Sequence, residues 1–410
     1  MSIAMKVRAA GGVRKSIAMK VRAAGGVRKL AILAAAALAA TLISACGTGS
    51  TGSTGSTGGD TGTADQAAAK QQLKAASQPV GWDNPGPAIS VGDAAQGKLL
   101  YYIANGLNFP FSQGVLKGVK GAADAVGLDV VAVDGAGSSA TAARLIEQAI
   151  GRKASVIVLQ SFAADALAAP LKQAENAGIK VVLGFVSDPR LPNEGEKATG
   201  VDAIVTYCNS CAGKLAATYM VAESGSDVKP IVFNVPDVPQ AQLEVDGFNN
   251  KLKELCPSCK SDSADAPISQ WVTGLPGLTS SALKRLPDAN YLFPLYDGMV
   301  ATMKPSVAAA GAEGRVKIVS YNGDQPNLQA IHDKDKVEVA NVGASLQWAG
   351  WAAVDQALRV LTGNTPLTDE KIPNRVFYSG NIDSIDLSKD ELTWYGNVDV
   401  GAEYKKLWGK

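Results

Sequence analysis

Four cysteines in two C-x-x-C pairs, Cys208 and Cys211 in YCNSC and Cys256 and Cys259 in CPSC, are the residues best spaced for chemistry. Such a set could ligate zinc, cycle as dithiols or close disulfides. Forty-four residues separate the two pairs, whereas zinc ribbons use roughly 15–20. An exported setting, argued below, favours oxidation, so structural disulfides are expected and no metal. Four cysteines allow three pairings, and the sequence does not choose among them. The single histidine, His332, lies in a polar helix-like stretch, AIHDKDK, and Ser-His-Asp chemistry has no other candidate. There is no P-loop and no G-x-S-x-G elbow. GAGSSA (Gly135–Ala140) matches G-x-G-x-x-[GA], yet a dinucleotide site also wants an acid roughly 20 residues on, where Gln160 and Ser161 stand. It reads better as a glycine-rich turn. Neither a catalytic residue nor a cofactor is expected.

The elements that would position any site alternate in type. KLLYYIA, DVVAVDG, SVIVLQ and IKVVLG read as buried strands, separated by helical patterns over 111–126, 140–150 and 165–177. A second series follows: helix 214–223, PIVFNV, helix 240–255, a strand near 291–295, helix 299–310, VKIVSYN, helix 328–334, VEVANVG and helix 348–361. Strands spaced by helices imply parallel sheets covered on both faces. Two series imply an α/β protein of two Rossmann-like, doubly wound lobes. Ligands in such folds bind beyond the carboxyl ends of the strands, which draws attention to the amides and rings of the loop 105–111.

The amino-terminal end has a different character. Ser2–Lys15 is repeated at Ser16–Lys29, two copies too short and too few for a stacked-repeat fold. With its eight basic and no acidic residues, the block leads into a fourteen-residue apolar run, Leu30–Ile43. That is short of the roughly 20 residues a bilayer span needs and fits the apolar part of a secretory signal. Ile43-Ser44-Ala45-Cys46 resembles the lipobox of bacterial lipoproteins, in which the cysteine receives lipid. The Gly/Ser/Thr-rich stretch after it has the composition of a flexible tether. We therefore expect a signal peptide over 1–45, an anchor and flexible lead-in over 46–96 with Cys46 lipidated, and a body on the outer face of the cytoplasmic membrane. Removing the signal from 39 basic and 38 acidic residues leaves a net charge of 31 − 38 = −7, a poor match to nucleic acid.

At Asn108-Phe109-Pro110-Phe111 the chain resembles the periplasmic binding proteins of ABC sugar importers, the ribose-binding type, whose first loop reads N-x-P-F. NAGIKVVLG, CAGKLAATYM, VDGF, LYDGMV, VSYNGD and QWAGWAAVD follow in that family's order. The resemblance implies two lobes joined by three crossovers, one from 97–206 plus 345–375 and the other from 207–344 plus 376–410, closing on a ligand by hinge motion. It implies ligand contacts from Asn108, Phe109, Phe111, Phe185, Gln242, Trp271, Asp297 and Asn322. This chain carries Phe185-Val186 where the sugar binders have Asp-Arg, Gln242 for an arginine and Asn322 for an aspartate. The loss of charge favours a neutral sugar, polyol or similar small molecule over a pentose bound in the usual way or an anion.

The implied function is a monomeric, lipid-anchored receptor that delivers a small ligand to ABC permease subunits. An exported redox or other enzyme using the C-x-x-C pairs, or a sensory receptor, is the alternative. A transcriptional regulator on the same lobes would need a helix-turn-helix where the signal and linker stand.

Overall fold

The computed structural model describes residues 64–189 and 198–410; Cys46, the signal and most of the tether lie outside them. After helix α1 (Gln66–Ala76), five strands form the first sheet: β1 (Leu99–Ala104), β2 (Asp129–Asp134), β3 (Val156–Gln160), β4 (Lys180–Ser187) and β5 (Ala203–Thr206). Helices α2 (Pro110–Asp124), α3 (Ser139–Gly151) and α4 (Ala168–Asn176) connect the first four. All strands are parallel, in the order β2-β1-β3-β4-β5. Five of the six residues of β1 are buried, as expected for a strand covered on both faces.

The second lobe runs through α5 (Asn209–Ser224), β6 (Pro230–Asn234), α6 (Ala241–Leu255), β7 (Asp262–Asp265), α7 (Leu275–Arg285), β8 (Tyr291–Pro294), α8 (Val300–Ala309), β9 (Lys317–Asn322), α9 (Gln325–His332) and β10 (Glu338–Ala344). The chain then returns to the first lobe as α10 (Leu346–Leu361) and crosses back as β11 (Asn374–Tyr378), which pairs antiparallel with β10 at the sheet edge. The order is β11-β10-β9-β8-β6-β7. Three crossovers therefore join the lobes, at 206–209, 344–346 and 361–374. The doubly wound, two-lobed α/β architecture is the one the alternation of patterns implied.

A pair of glycines sets the helix packing in each lobe. A Cβ on Gly118 of α2 would strike the carbonyl of Gln347, and one on Gly350 of α10 the carbonyl of Val115. In the second lobe, Gly213 of α5 and Gly247 of α6 face the backbone of Glu244 and of Ser210 in the same way. Only residues without a Cβ allow backbones to approach this closely. The two cysteine bonds bracket the second pair: Cys208–Cys211 opens α5, and Cys256–Cys259 closes α6.

Two segments depart from the expected boundaries. Residues 66–96, expected as part of a flexible lead-in, are packed. The amide of Val80 donates to Tyr395 O at 2.7 Å and that of Ile89 to Leu407 O at 2.7 Å, and Trp82 stacks on Trp348 at 5.4 Å. The chain end, expected wholly in the second lobe, returns to the first. There α11 (Leu392–Tyr395) leads to α12 (Val400–Leu407), and Trp408 Nε1 donates to buried Asp355 of α10 at 2.7 Å. Trp351, Tyr404 and Trp408 stack together, so aromatic burial on α10 recruits the terminus. Gly135–Ala140 forms a turn, with Ala136 and Gly137 at positive φ and Ser138 capping α3. His332 sits half-exposed at the end of α9, beside Asp333.

Candidate functional site

The carboxyl ends of the strands in both sheets converge on one pocket. Its space is about 80 Å³ measured at water centres. One water needs about 10–15 Å³ on that measure, so the pocket holds on the order of five to eight waters, or one small solute. The loop after β1 supplies Asn105, whose Nδ2 donates to Ser161 O at 2.9 Å and ties that loop to the one after β3. Pro110 starts α2 in the position where a missing N–H costs nothing, and this delivers Phe109, Phe111 and Ser112 to the wall. Buried Gln160 donates to Ser112 Oγ at 2.9 Å and accepts from the Tyr102 hydroxyl, so its amide braces the loop.

Seven aromatic rings encircle the space. From Phe111 the chain of neighbours runs to Phe185 (6.2 Å between centroids), Tyr207 (6.2 Å), Tyr321 (6.5 Å), Tyr296 (6.4 Å), Trp271 (6.1 Å) and Phe109 (5.6 Å). The last contact joins a first-lobe loop to the second lobe. Trp271 is oriented by donating Nε1–H to Ala266 O at 2.9 Å. Three wall residues other than glycine have left-handed backbones: Ser161 (φ 59°), Phe185 (φ 71°) and Asn322 (φ 137°). Such conformations cost of order 1–3 kcal/mol each and persist where the surroundings enforce them, commonly at binding sites.

The polar groups of the wall are acidic or neutral. Glu244 is fully buried, accepts from the Tyr296 hydroxyl at 3.0 Å, and burial pushes its carboxyl well above the usual range. Asp324 is pushed up to about 7 by burial and by the nearby carboxylates Glu338 and Glu391. Glu244 Oε2, Asp324 Oδ1, Asn322 Oδ1, Gln240 Oε1, Ser161 Oγ and the Tyr207 hydroxyl are buried without a hydrogen-bond partner in the protein. Buried polar atoms are ordinarily satisfied, so their collection at one pocket marks a place for an outside partner.

Of the eight expected contacts, Phe109, Phe111, Phe185, Trp271 and Asn322 lie on this wall. Asn108 is exposed outside it. Gln242 points outward from α6, where its amide donates to Asp246 at 2.8 Å. Asp297 is buried behind the wall; it accepts from the Asp324 amide at 2.8 Å and from Asn341 Nδ2 at 2.7 Å. Burial and Asp324 raise its carboxyl well above the usual range. The sequence reading passed over Tyr207, Tyr296, Tyr321, Gln240, Glu244 and Asp324. A signal for α6 existed: its buried positions 241, 244, 245, 248 and 252 follow helical spacing, which turns 240 and 244 inward and 242 outward. Among the described residues no cluster of metal-ligating side chains occurs.

Two α/β lobes with three crossovers and a pocket between their strand ends define a two-lobed, solute-binding class of protein. The chain belongs to the periplasmic binding protein family: the family described as "Periplasmic binding protein domain" matches residues 100–365. It is similar to a D-ribose/D-allose-binding protein of Pseudomonas aeruginosa, 26% identical over 231 residues that cover 54% of this chain and 68% of that protein. Its fold matches an Agrobacterium vitis ABC transporter solute-binding protein with bound allitol (TM-score 0.61, 20% identity, 71% of this chain and 98% of that one). It also matches the Thermotoga lettingae 5-methylthioribose transporter solute-binding protein (TM-score 0.61, 17% identity, 79% and 96%). The family match and these likenesses agree with the two-lobed binding-protein fold.

Proposed function

We propose that this protein is a lipid-anchored, extracytoplasmic receptor that captures a small sugar- or polyol-like ligand without negative charge and delivers it to ABC permease subunits. The observation that carries the reading is the aromatic-walled pocket between the lobes with its unpartnered polar oxygens. Rings cover the apolar faces of a sugar or polyol, and the unpartnered oxygens accept from its hydroxyls. The sugars in the Pseudomonas relative's name, D-ribose and D-allose, and the allitol and 5-methylthioribose bound in the two solved structures belong to this chemical range. Cys46 is the proposed anchor and the outer face of the cytoplasmic membrane the proposed location, with the protein acting as a monomer. Wall residues from both lobes bind the ligand, so contact with it favours the closed arrangement. Two measurements test the proposal. Native mass spectrometry of the purified protein, followed by a calorimetric screen of sugars and polyols, should identify a bound solute that also compacts the protein in scattering. A fatty-acid probe should label the wild type and not Cys46→Ser. A screen without binding would refute ligand capture, and equal labelling of both forms would refute the anchor.

A further inference from the structure

Four of the six unpartnered oxygens on the pocket wall can only accept hydrogen bonds when the carboxylates are ionised: Gln240 Oε1, Glu244 Oε2, Asn322 Oδ1 and Asp324 Oδ1; the hydroxyls of Ser161 and Tyr207 can also donate. A hydroxylated ligand both donates and accepts at each oxygen, and a wall made for hydroxyls alone would offer both kinds of group. Pure acceptors outnumber hydroxyls among these atoms two to one, so the wall asks its ligand mainly for protons. Its charges are equally one-sided. Glu244 and Asp324 lie in the pocket with Asp297 behind them, and none of the lining residues is lysine, arginine or histidine. Lys304 pairs with Asp335 at 2.6 Å and with Glu338 at 3.8 Å, both outside the pocket lining. Buried charges are ordinarily paired.

The rings complete the pattern. Trp271, Tyr296, Tyr321 and Tyr207 follow one another at 6.1–6.5 Å between centroids along the second-lobe side of the pocket. Aromatic faces attract a cation within about 6 Å, most strongly when it is desolvated. Hydroxylated ligands also stack on rings, so the rings alone do not discriminate. Rings combined with two carboxylates, each with one unpartnered oxygen, and no basic side chain do.

We propose that the pocket takes a ligand bearing a cationic nitrogen, an aminated sugar or polyol, with Glu244 and Asp324 as its counter-charges and the Trp271–Tyr296–Tyr321–Tyr207 wall as its cation–π surface. The proposal rests on the reading of this pocket as the solute site. An ammonium group supplies three donors and no acceptor, which matches the demand of the wall. With no cation present, the two acids relieve their burial by holding protons, in keeping with the elevated Glu244 carboxyl.

The test is calorimetry on protein freed of any carried-over solute, near neutral pH. The probes are matched pairs of hexoses, pentoses and hexitols with their amino counterparts, among them D-glucose with D-glucosamine and D-sorbitol with 1-amino-1-deoxy-D-sorbitol. The amine of the best-fitting pair should bind about 10- to 150-fold more tightly than its neutral partner, the span of one charge-assisted hydrogen bond. Glu244→Gln keeps an acceptor for Tyr296 and removes the charge, so it should erase most of that preference; Asp324→Asn provides the same comparison if the first variant does not fold. Neutral members binding as tightly as the amines, or a preference intact in both folded variants, would overturn the cationic ligand while leaving solute capture standing. Failure of every pair to bind would overturn both.

Discussion

Glu370 offers a test of how the lobes are tied together. It lies in the third crossover, 1% exposed, and joins it to the first. Its Oε2 accepts from the Thr206 amide at 2.8 Å and from the Thr206 hydroxyl, while Oε1 accepts from Gln356 Nε2. Burial nevertheless pushes its carboxyl up to about 8, the bonds from Thr206 and Gln356 opposing only part of the shift. An unfolded glutamate titrates near 4.3. Between those values the folded state holds a proton that the unfolded state has lost. The stabilisation is therefore complete below the unfolded pKa and is lost as pH rises through the folded one. For one proton the slope is about 1.4 kcal/mol per pH unit, or roughly 3 kcal/mol between about pH 5.5 and about pH 7.5. Asp324, Glu338 and Glu391 are also raised and add slope of the same sign, so the informative quantity is the difference between wild type and Glu370→Gln. The amide fits the site less well, because one of its N–H groups faces a donor, and it should cost about 1–3 kcal/mol at low pH. Urea titrations at both pH values should show that deficit shrinking or reversing at the higher pH. A deficit constant with pH would show that Glu370 is ionised in the folded protein and that the argument from burial is wrong.

Gly350→Ala should destabilise the first lobe by roughly 1–3 kcal/mol, because its Cβ would meet the Val115 carbonyl and force α2 and α10 apart. Gly121→Ala on α2, whose Cβ would meet the Trp351 ring at an ordinary 3.7 Å, should melt near the wild-type temperature; equal melting of both variants would contradict the close-approach account. Asp297→Ala strips the Asp324 amide and Asn341 of their acceptor, so stability should fall by about 1–3 kcal/mol or more along with affinity for the solute. Weakened binding at unchanged stability would instead put that carboxylate against the ligand. Thiol titration of denatured, non-reduced protein should find none of Cys208, Cys211, Cys256 and Cys259 free, given their bonding within each pair; four free thiols with stoichiometric zinc would contradict it.

What was legible in the sequence, and what was not, follows from how each element is buried. β1, β3, β6 and β9 announce themselves because a strand covered on both faces must be apolar throughout. The edge strand β7, with sequence DSAD, carries no such signal, since an edge is half solvated. α1 is Ala- and Gln-rich with little apolar contrast, and only its docking against α5 reveals it as part of the body. Three of the stretches that carried the family resemblance, CAGKLAATYM, VDGF and QWAGWAAVD, contain Gly213, Gly247 and Gly350, the residues that let helices touch backbone to backbone. They therefore identify the architecture more than the ligand. The pocket itself depends on phase. Successive side chains of a strand face opposite ways, so the place where a strand stops decides which neighbour reaches the cleft. At β8 the ring of Tyr296 lines the pocket and adjacent Asp297 turns behind the wall; at β9 a left-handed Asn322 lets both Tyr321 and Asn322 face it. Periodicity locates the ends of β8 and β9 to within a residue, and one residue there decides whether Tyr296 or Asp297 faces a pocket that also holds Glu244 of α6 and Asp324.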